Sequence, residues 1–122
     1  NDTANWANNT LRLPYMNLDY ITFLVPNPNL AGANFSHAYL GHANFRGANL
    51  NFANLSSADL GSADLTGASL YGADLSSAWM RDADLENANL NGADLTNVYW
   101  DNIICPDGTN SDNNGDTCEN NL

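Results

Sequence analysis

The sequence predicts an all-β fold, a solenoid of square coils, and three regularities predict it. Every fifth residue from Leu30 to Trp100 is large and apolar, fifteen positions without exception. Two places before the large residue, thirteen consecutive units from Ala33 to Ala93 carry alanine, and the fourteenth carries Val98. The three other positions of each unit are mostly Asn, Asp, Ser, Thr or Gly, which favour turns. A period of five is neither the 3.6 of a helix nor the 2 of a strand. It fits a chain that bends after every unit and points the same two side chains inward each time.

If four bends close a square, one coil takes about twenty residues and the next pairs with it at ~4.8 Å, as neighbouring strands do. Leu and Phe then fill the axis. Alanine takes the inner position where only a methyl fits, which explains why it hardly varies while its larger partner ranges over Leu, Phe, Met and Trp.

The tandem A(N/D)LXX units resemble the pentapeptide-repeat proteins, over residues 31–100 in one frame. The resemblance implies a right-handed quadrilateral β-helix, and the length of the periodic region makes it about four coils, with a cap expected at each end.

Residues 30–100 form the regular part. Before them, residues 11–29 read as an irregular first coil, because the pairs Leu11 and Leu13, Met16 and Leu18, and Ile21 and Phe23 also recur every five residues. Their frame is offset by two from the main one. Pro26 and Pro28 mark a bulged corner where it slips. Residues 1–10, with Trp6, read as an N-terminal cap for the open end of the solenoid. After Trp100 the repeat stops, and residues 101–122 read as a lid or tail closed by a disulfide between Cys105 and Cys118.

Three Arg, no Lys and fourteen Asp and Glu give a formal charge of −11. That opposes binding to phosphate backbones, which rests on basic side chains. No apolar run approaches the length of a membrane span. The 22 asparagines, against no glutamine, point to a demand for short amides at fixed backbone positions. The chain starts at Asn1 without a signal-peptide pattern, which predicts a mature product whose signal has been removed. With the disulfide, it predicts an extracytoplasmic setting: periplasm, lumen or secreted.

No nucleophile with its base stands out, so no enzyme is predicted. His37 and His42 fall on neighbouring corners, too far apart for a shared metal without a third ligand. Asp59, Asp64, Asp74, Asp84 and Asp94 occupy positions where Asn serves equally, and read as solvated turn residues.

Residues twenty apart share a face, so Tyr39, Asp59, Trp79 and Tyr99 align. Three of these four are aromatic, whereas the other faces carry only Asn, Asp and Ser there. This ladder is the candidate binding face, for a protein, a glycan or a pigment. Phe52 and Tyr71 form a smaller apolar patch, and Arg81 pairs with Asp101. In the tail, Asn110, Asp112, Asn114 and Asp116 are spaced as in an EF-hand-like loop, which leaves calcium as the one candidate cofactor. The loop departs from that pattern in having Asn110 first and Asn121 last. Asn1, Asn8, Asn34 and Asn54 begin glycosylation sequons.

Three functions follow. The favoured one is a non-enzymatic module, a rigid acidic rod docking to a larger extracytoplasmic assembly through the aromatic ladder. The second, implied by the resemblance, is a DNA mimic that binds gyrase. The third is a calcium- or glycan-binding domain.

Overall fold

Each unit of five is a short extended stretch followed by a corner, and the corner chemistry sets the architecture. The Ala33 N–H donates to the Leu30 carbonyl at 3.0 Å, closing a four-residue turn, and this bond recurs along the chain. All fifteen residues at every fifth position from Gly32 to Asn102 have φ between 51° and 72°. A positive φ confined to the third residue of such a turn is the type II pattern. The asparagines stabilise these corners. The Asn34 Oδ1 accepts the N–H of Ser36 at 3.0 Å, and the same bond recurs at Asn44, Asn54, Asp64, Asp74 and Asp84. A short carboxylate or amide reaches an N–H two residues on and holds it more strongly than a hydroxyl does, which is the demand the composition signalled.

In the computed structural model, which describes residues 11–23, 25–113 and 115–119, four corners close each coil. Parallel pairing links residues twenty apart, as in Asn34 with Asn54 and Asp59 with Trp79. Four faces result, with columns 12, 34, 54, 74, 94 on the first and 17, 39, 59, 79, 99 on the second. Columns 44, 64, 84, 104 and 29, 49, 69, 89 define the third and fourth. In the first coil the spacing widens to twenty-two: Arg12 pairs with Asn34 and Asn17 with Tyr39. The two extra residues are taken up before Pro28, whose carbonyl receives the Asn49 N–H at 2.9 Å and restores the register.

Phe35, Leu40, Phe45, Leu50 and the leucines down to Leu85 fill the axis, with Met80, all wholly buried. The alanines from Ala33 to Ala83 are equally buried beside them. The coil runs one unit past Trp100. Ile103, Ile104 and Cys105 stack under Asp84, and Ile103 and Cys105 are wholly buried. Ile103 fills a position that takes alanine in the coils above. The chain then turns back antiparallel, Ile104 against Asn110, into a short 3₁₀ turn, Ser111–Asn113. The Cys105–Cys118 disulfide ties this lid down, with Cα atoms 5.3 Å apart. The expected N-terminal cap, Trp6 and the sequons at Asn1 and Asn8 lie outside the described residues. No helix among those described is long and apolar enough to cross a membrane.

One corner couples two coils. Gly72 has φ +67°, and a Cβ there would stand 2.7 Å from ring atoms of Phe52 in the coil above. Gly72→Ala therefore loses ~1–2 kcal/mol from the left-handed backbone alone, plus the ring clash. In a Phe52→Gly background the clash disappears. Chemical denaturation of both single variants and the double should show a coupling of at least about 0.5 kcal/mol; strict additivity would contradict the contact.

Candidate functional site

The second face carries the aromatic ladder. Pairing of Tyr39 with Asp59, Asp59 with Trp79 and Trp79 with Tyr99 puts the four in one column. The three rings are about half exposed, at 55%, 56% and 45%. Trp79 and Tyr99 touch, with centroids 4.7 Å apart and planes tilted by 42°. Asp59 separates Tyr39 from Trp79.

These rings stand where other faces place the turn-capping Asn or Asp. The Gly41 N–H, left uncapped by Tyr39, is taken instead by the Asp19 Oδ1 of the coil above at 2.8 Å. For Arg81 and Asp101, which follow Trp79 and Tyr99, no such cap exists among the described residues. The local rule that builds the fold is thus broken on this face, and broken in favour of exposed rings.

Two further stacks flank the ladder. Tyr15 lies on His37 with centroids 4.6 Å apart and planes 2° from parallel. Tyr20 lies on His42 at 4.5 Å and 6°. The first pair occupies the corner between the first and second faces, the second that between the second and third. All four residues have φ near +60°, a conformation that costs a side chain free energy at a position where glycine serves elsewhere. Tyr15 and Tyr20 are 70% and 69% exposed, so burial does not offset that cost. These stacks were not anticipated. The signal was the two-residue offset, which aligns position 15 with 37 and 20 with 42.

Two shallow grooves run beside the ladder. One is lined by Asp19, Tyr20, Gly41, Gly61, Trp79 and Arg81, among others, with a volume of about 540 Å³. The other, about 510 Å³, lies between the Tyr15–His37 corner and Asp59 with Trp79. Arg81 is engaged by Asp101 at 3.1 Å and by Asp82 at 3.9 Å.

Elsewhere, Phe52 and Tyr71 meet edge to face at 5.6 Å on the corner between the fourth and first faces, away from the ladder. Asp94 is held below the ordinary carboxylate value by the side-chain and backbone donors of Thr96, which favour its charged form. In the tail, the Asn110 Oδ1 accepts the Asp112 N–H at 2.8 Å, and the Asp112 Oδ1 accepts the Asn102 N–H at 2.8 Å. Asp116 donates its N–H to the Ser111 carbonyl at 3.0 Å. Asn114 lies outside the described residues. Among those described, no three His, Cys, Asp or Glu gather as metal ligands.

A family model for pentapeptide repeats matches residues 29–67 and 68–99, in eight copies and over more than half of the chain. The chain belongs to the pentapeptide-repeat family. Its fold is accordingly the right-handed quadrilateral β-helix of that family. HetL, a pentapeptide-repeat protein involved in heterocyst differentiation regulation in the cyanobacterium Nostoc, superposes with a TM-score of 0.69 at 36% identity. The match covers 81% of this chain but 42% of HetL, so the chain spans less than half of that protein's length. Rfr23 from the cyanobacterium Cyanothece gives 0.60 at 30% identity, over 77% of this chain and 80% of its own. A pentapeptide-repeat protein of the Arabidopsis thaliana thylakoid lumen gives 0.58 at 39% identity, over 59% of this chain and 50% of its own. Among curated proteins none matches this repeat chain.

Proposed function

We propose that this pentapeptide-repeat protein is a non-enzymatic interaction module, a rigid acidic rod that docks to a larger extracytoplasmic assembly through its second face. The observation that supports this most is the replacement of turn-capping residues by exposed rings on that face alone. The turn caps given up at Trp79 and Tyr99 support a role for these rings beyond the fold. The flanking Tyr–His stacks widen the same surface. A regulatory role of the kind stated for HetL is one that a docking rod can fill, and the lumenal Arabidopsis relative is in keeping with an extracytoplasmic setting.

The test is capture of partners from an extract of the source organism by the immobilised protein. The Tyr39→Ser/Trp79→Ser variant should recover the main partner at least about tenfold less, since centrally placed aromatic anchors dominate such interfaces. Phe52→Ser/Tyr71→Ser should recover it as the wild type does. Equal recovery by the first variant sinks the docking face. Gyrase supercoiling that is unaffected by excess protein separates this reading from DNA mimicry. We also read the tail as a lid that needs no ion, because the Asn110 Oδ1 and the Asp112 Oδ1 already accept backbone N–H groups that hold the turn. Millimolar calcium or EDTA should then leave the melting temperature unchanged.

A further inference from the structure

We propose that the groove beside Trp79 seats an arginine side chain of the partner, carried on an extended basic segment. This deepens the docking-face reading and rests on it.

The groove exists because two residues of one column lack side chains. That column runs Asp19, Gly41, Gly61, Arg81, Asp101 from coil to coil, and the two glycines open it over two successive coils, roughly 10 Å. Neither glycine has a positive φ, so the backbone does not require them. Arg81 and Asp101 occupy the same column with side chains in place. What glycine provides at 41 and 61 is space beside the capping carboxylates, where a Cβ would stand 3.0 Å from the Asp19 Oδ1 and 3.2 Å from the Asp59 Oδ1.

The space is lined for a flat cation. Asp19 and Asp59 each spend one oxygen on a floor N–H, that of Gly41 at 2.8 Å and that of Gly61 at 3.0 Å. The second oxygen of each takes no hydrogen bond among the described residues, so both carboxylates are positioned and still open. Asp82 adds a third negative charge at the corner. Of the two basic residues of the lining, His42 is stacked on Tyr20, and Arg81 is paired with Asp101 at 3.1 Å and more loosely with Asp82 at 3.9 Å, which leaves the charges of Asp19 and Asp59 uncompensated. Trp79, Tyr99 and Tyr20 also line it, Tyr20 with one ring face already covered by His42.

A guanidinium satisfies both parts of this lining. Its plane stacks on an aromatic ring while its edge donates to carboxylates, and it is more weakly hydrated than an ammonium. A neutral sugar would use the rings and leave the charge unanswered, and a phosphate would be repelled. The −11 charge of the chain draws a basic segment towards this face, an attraction that salt screens.

The experiment titrates the folded protein with the blocked peptide Gly-Arg-Gly-Arg-Gly and follows amide and indole resonances. A peptide with citrulline for arginine, the same shape without the charge, is the control. Saturable shifts should centre on Gly41, Gly61 and the Trp79 indole, and the citrulline peptide should bind at least about tenfold more weakly. Trp79→Ala should weaken the arginine peptide by about tenfold, the size of a partly desolvated cation–π contact. Asp59→Asn should weaken it too. Gly61→Leu fills the groove at a position without backbone strain and should abolish binding while the melting temperature holds within a few degrees.

Equal binding of the citrulline peptide overturns the proposal, as does unchanged binding to Gly61→Leu. So does a neutral oligosaccharide that binds at these resonances when the arginine peptide does not. If the peptide fails and Tyr39→Ser/Trp79→Ser still loses its partner, the groove is empty of arginine but the docking face stands. If that variant keeps its partner, the docking face itself falls.

Discussion

Phe45→Ala lowers stability by about 3–5 kcal/mol, the loss expected for a wholly buried phenylalanine. Phe45 is wholly buried in the second coil, where its ring meets Phe35 edge to face at 5.8 Å and Phe23 of the first coil at the same distance. The loss is large because the cavity cannot collapse. The backbone on either side is held by ladder bonds, with the Phe45 N–H on the Asp64 carbonyl at 2.8 Å and the Asn44 N–H on the Ile21 carbonyl at 2.9 Å. Moving one wall inward would break pairing with the coil above or below. Phe45→Leu keeps most of the volume and should lose only about 1 kcal/mol. Urea denaturation decides it: the midpoint should fall steeply for alanine and slightly for leucine, with little change in slope. A loss under 1 kcal/mol for Phe45→Ala would mean that the coils are not packed as described.

That core was legible because its signal is periodic. Each coil repeats the same local solution, so fifteen large residues at one spacing reveal both the axis and the alanine positions. The ladder was legible by the same arithmetic, since a twenty-residue coil places Tyr39, Asp59, Trp79 and Tyr99 in one column, as the pairing does. The edge contact of Phe52 with Tyr71 and the Arg81–Asp101 pair follow likewise from a spacing near twenty.

What the sequence hid lies where the period changes or ends. Stacking of Tyr15 on His37 needs a spacing of twenty-two, so it is invisible to a search at twenty. The extra unit at Cys105 was hidden because Ile103 and Cys105 replace the expected alanine and leucine. The groove was hidden for another reason. Glycine is common in these corners, and although Gly41 and Gly61 stand one place ahead of the left-handed position that Gly72 occupies, it takes the backbone angles to show that their position does not require glycine. Motif arithmetic reads positions, and conformation distinguishes residues that share one letter.

Loss of the disulfide, by Cys105→Ser/Cys118→Ser or by reduction, removes about 3 kcal/mol, as expected for a short closed loop. Thirteen positions separate the two cysteines, both wholly buried. The lid makes its own bonds to the last unit. Cys105 donates its N–H to the Thr109 carbonyl at 2.7 Å, Ser111 to that of Ile103 at 2.8 Å, and the Ile103 N–H reaches the Ser111 Oγ at 3.0 Å. Without the bridge these bonds must hold a polar segment against an open apolar end. The effect differs in reach from that of Phe45→Ala. A solenoid couples each coil to its neighbours only, so damage at the end frays inward instead of melting the whole. Native-state hydrogen exchange should show protection at Leu85 and Ile104 falling by about a hundredfold on reduction, the equivalent of that energy. Protection at Leu55, Leu60 and Leu65, two coils away, should hold. Equal loss at all five amides would show that the lid stabilises the array as one unit, and no loss at Ile104 would show that the hydrogen bonds alone keep it closed.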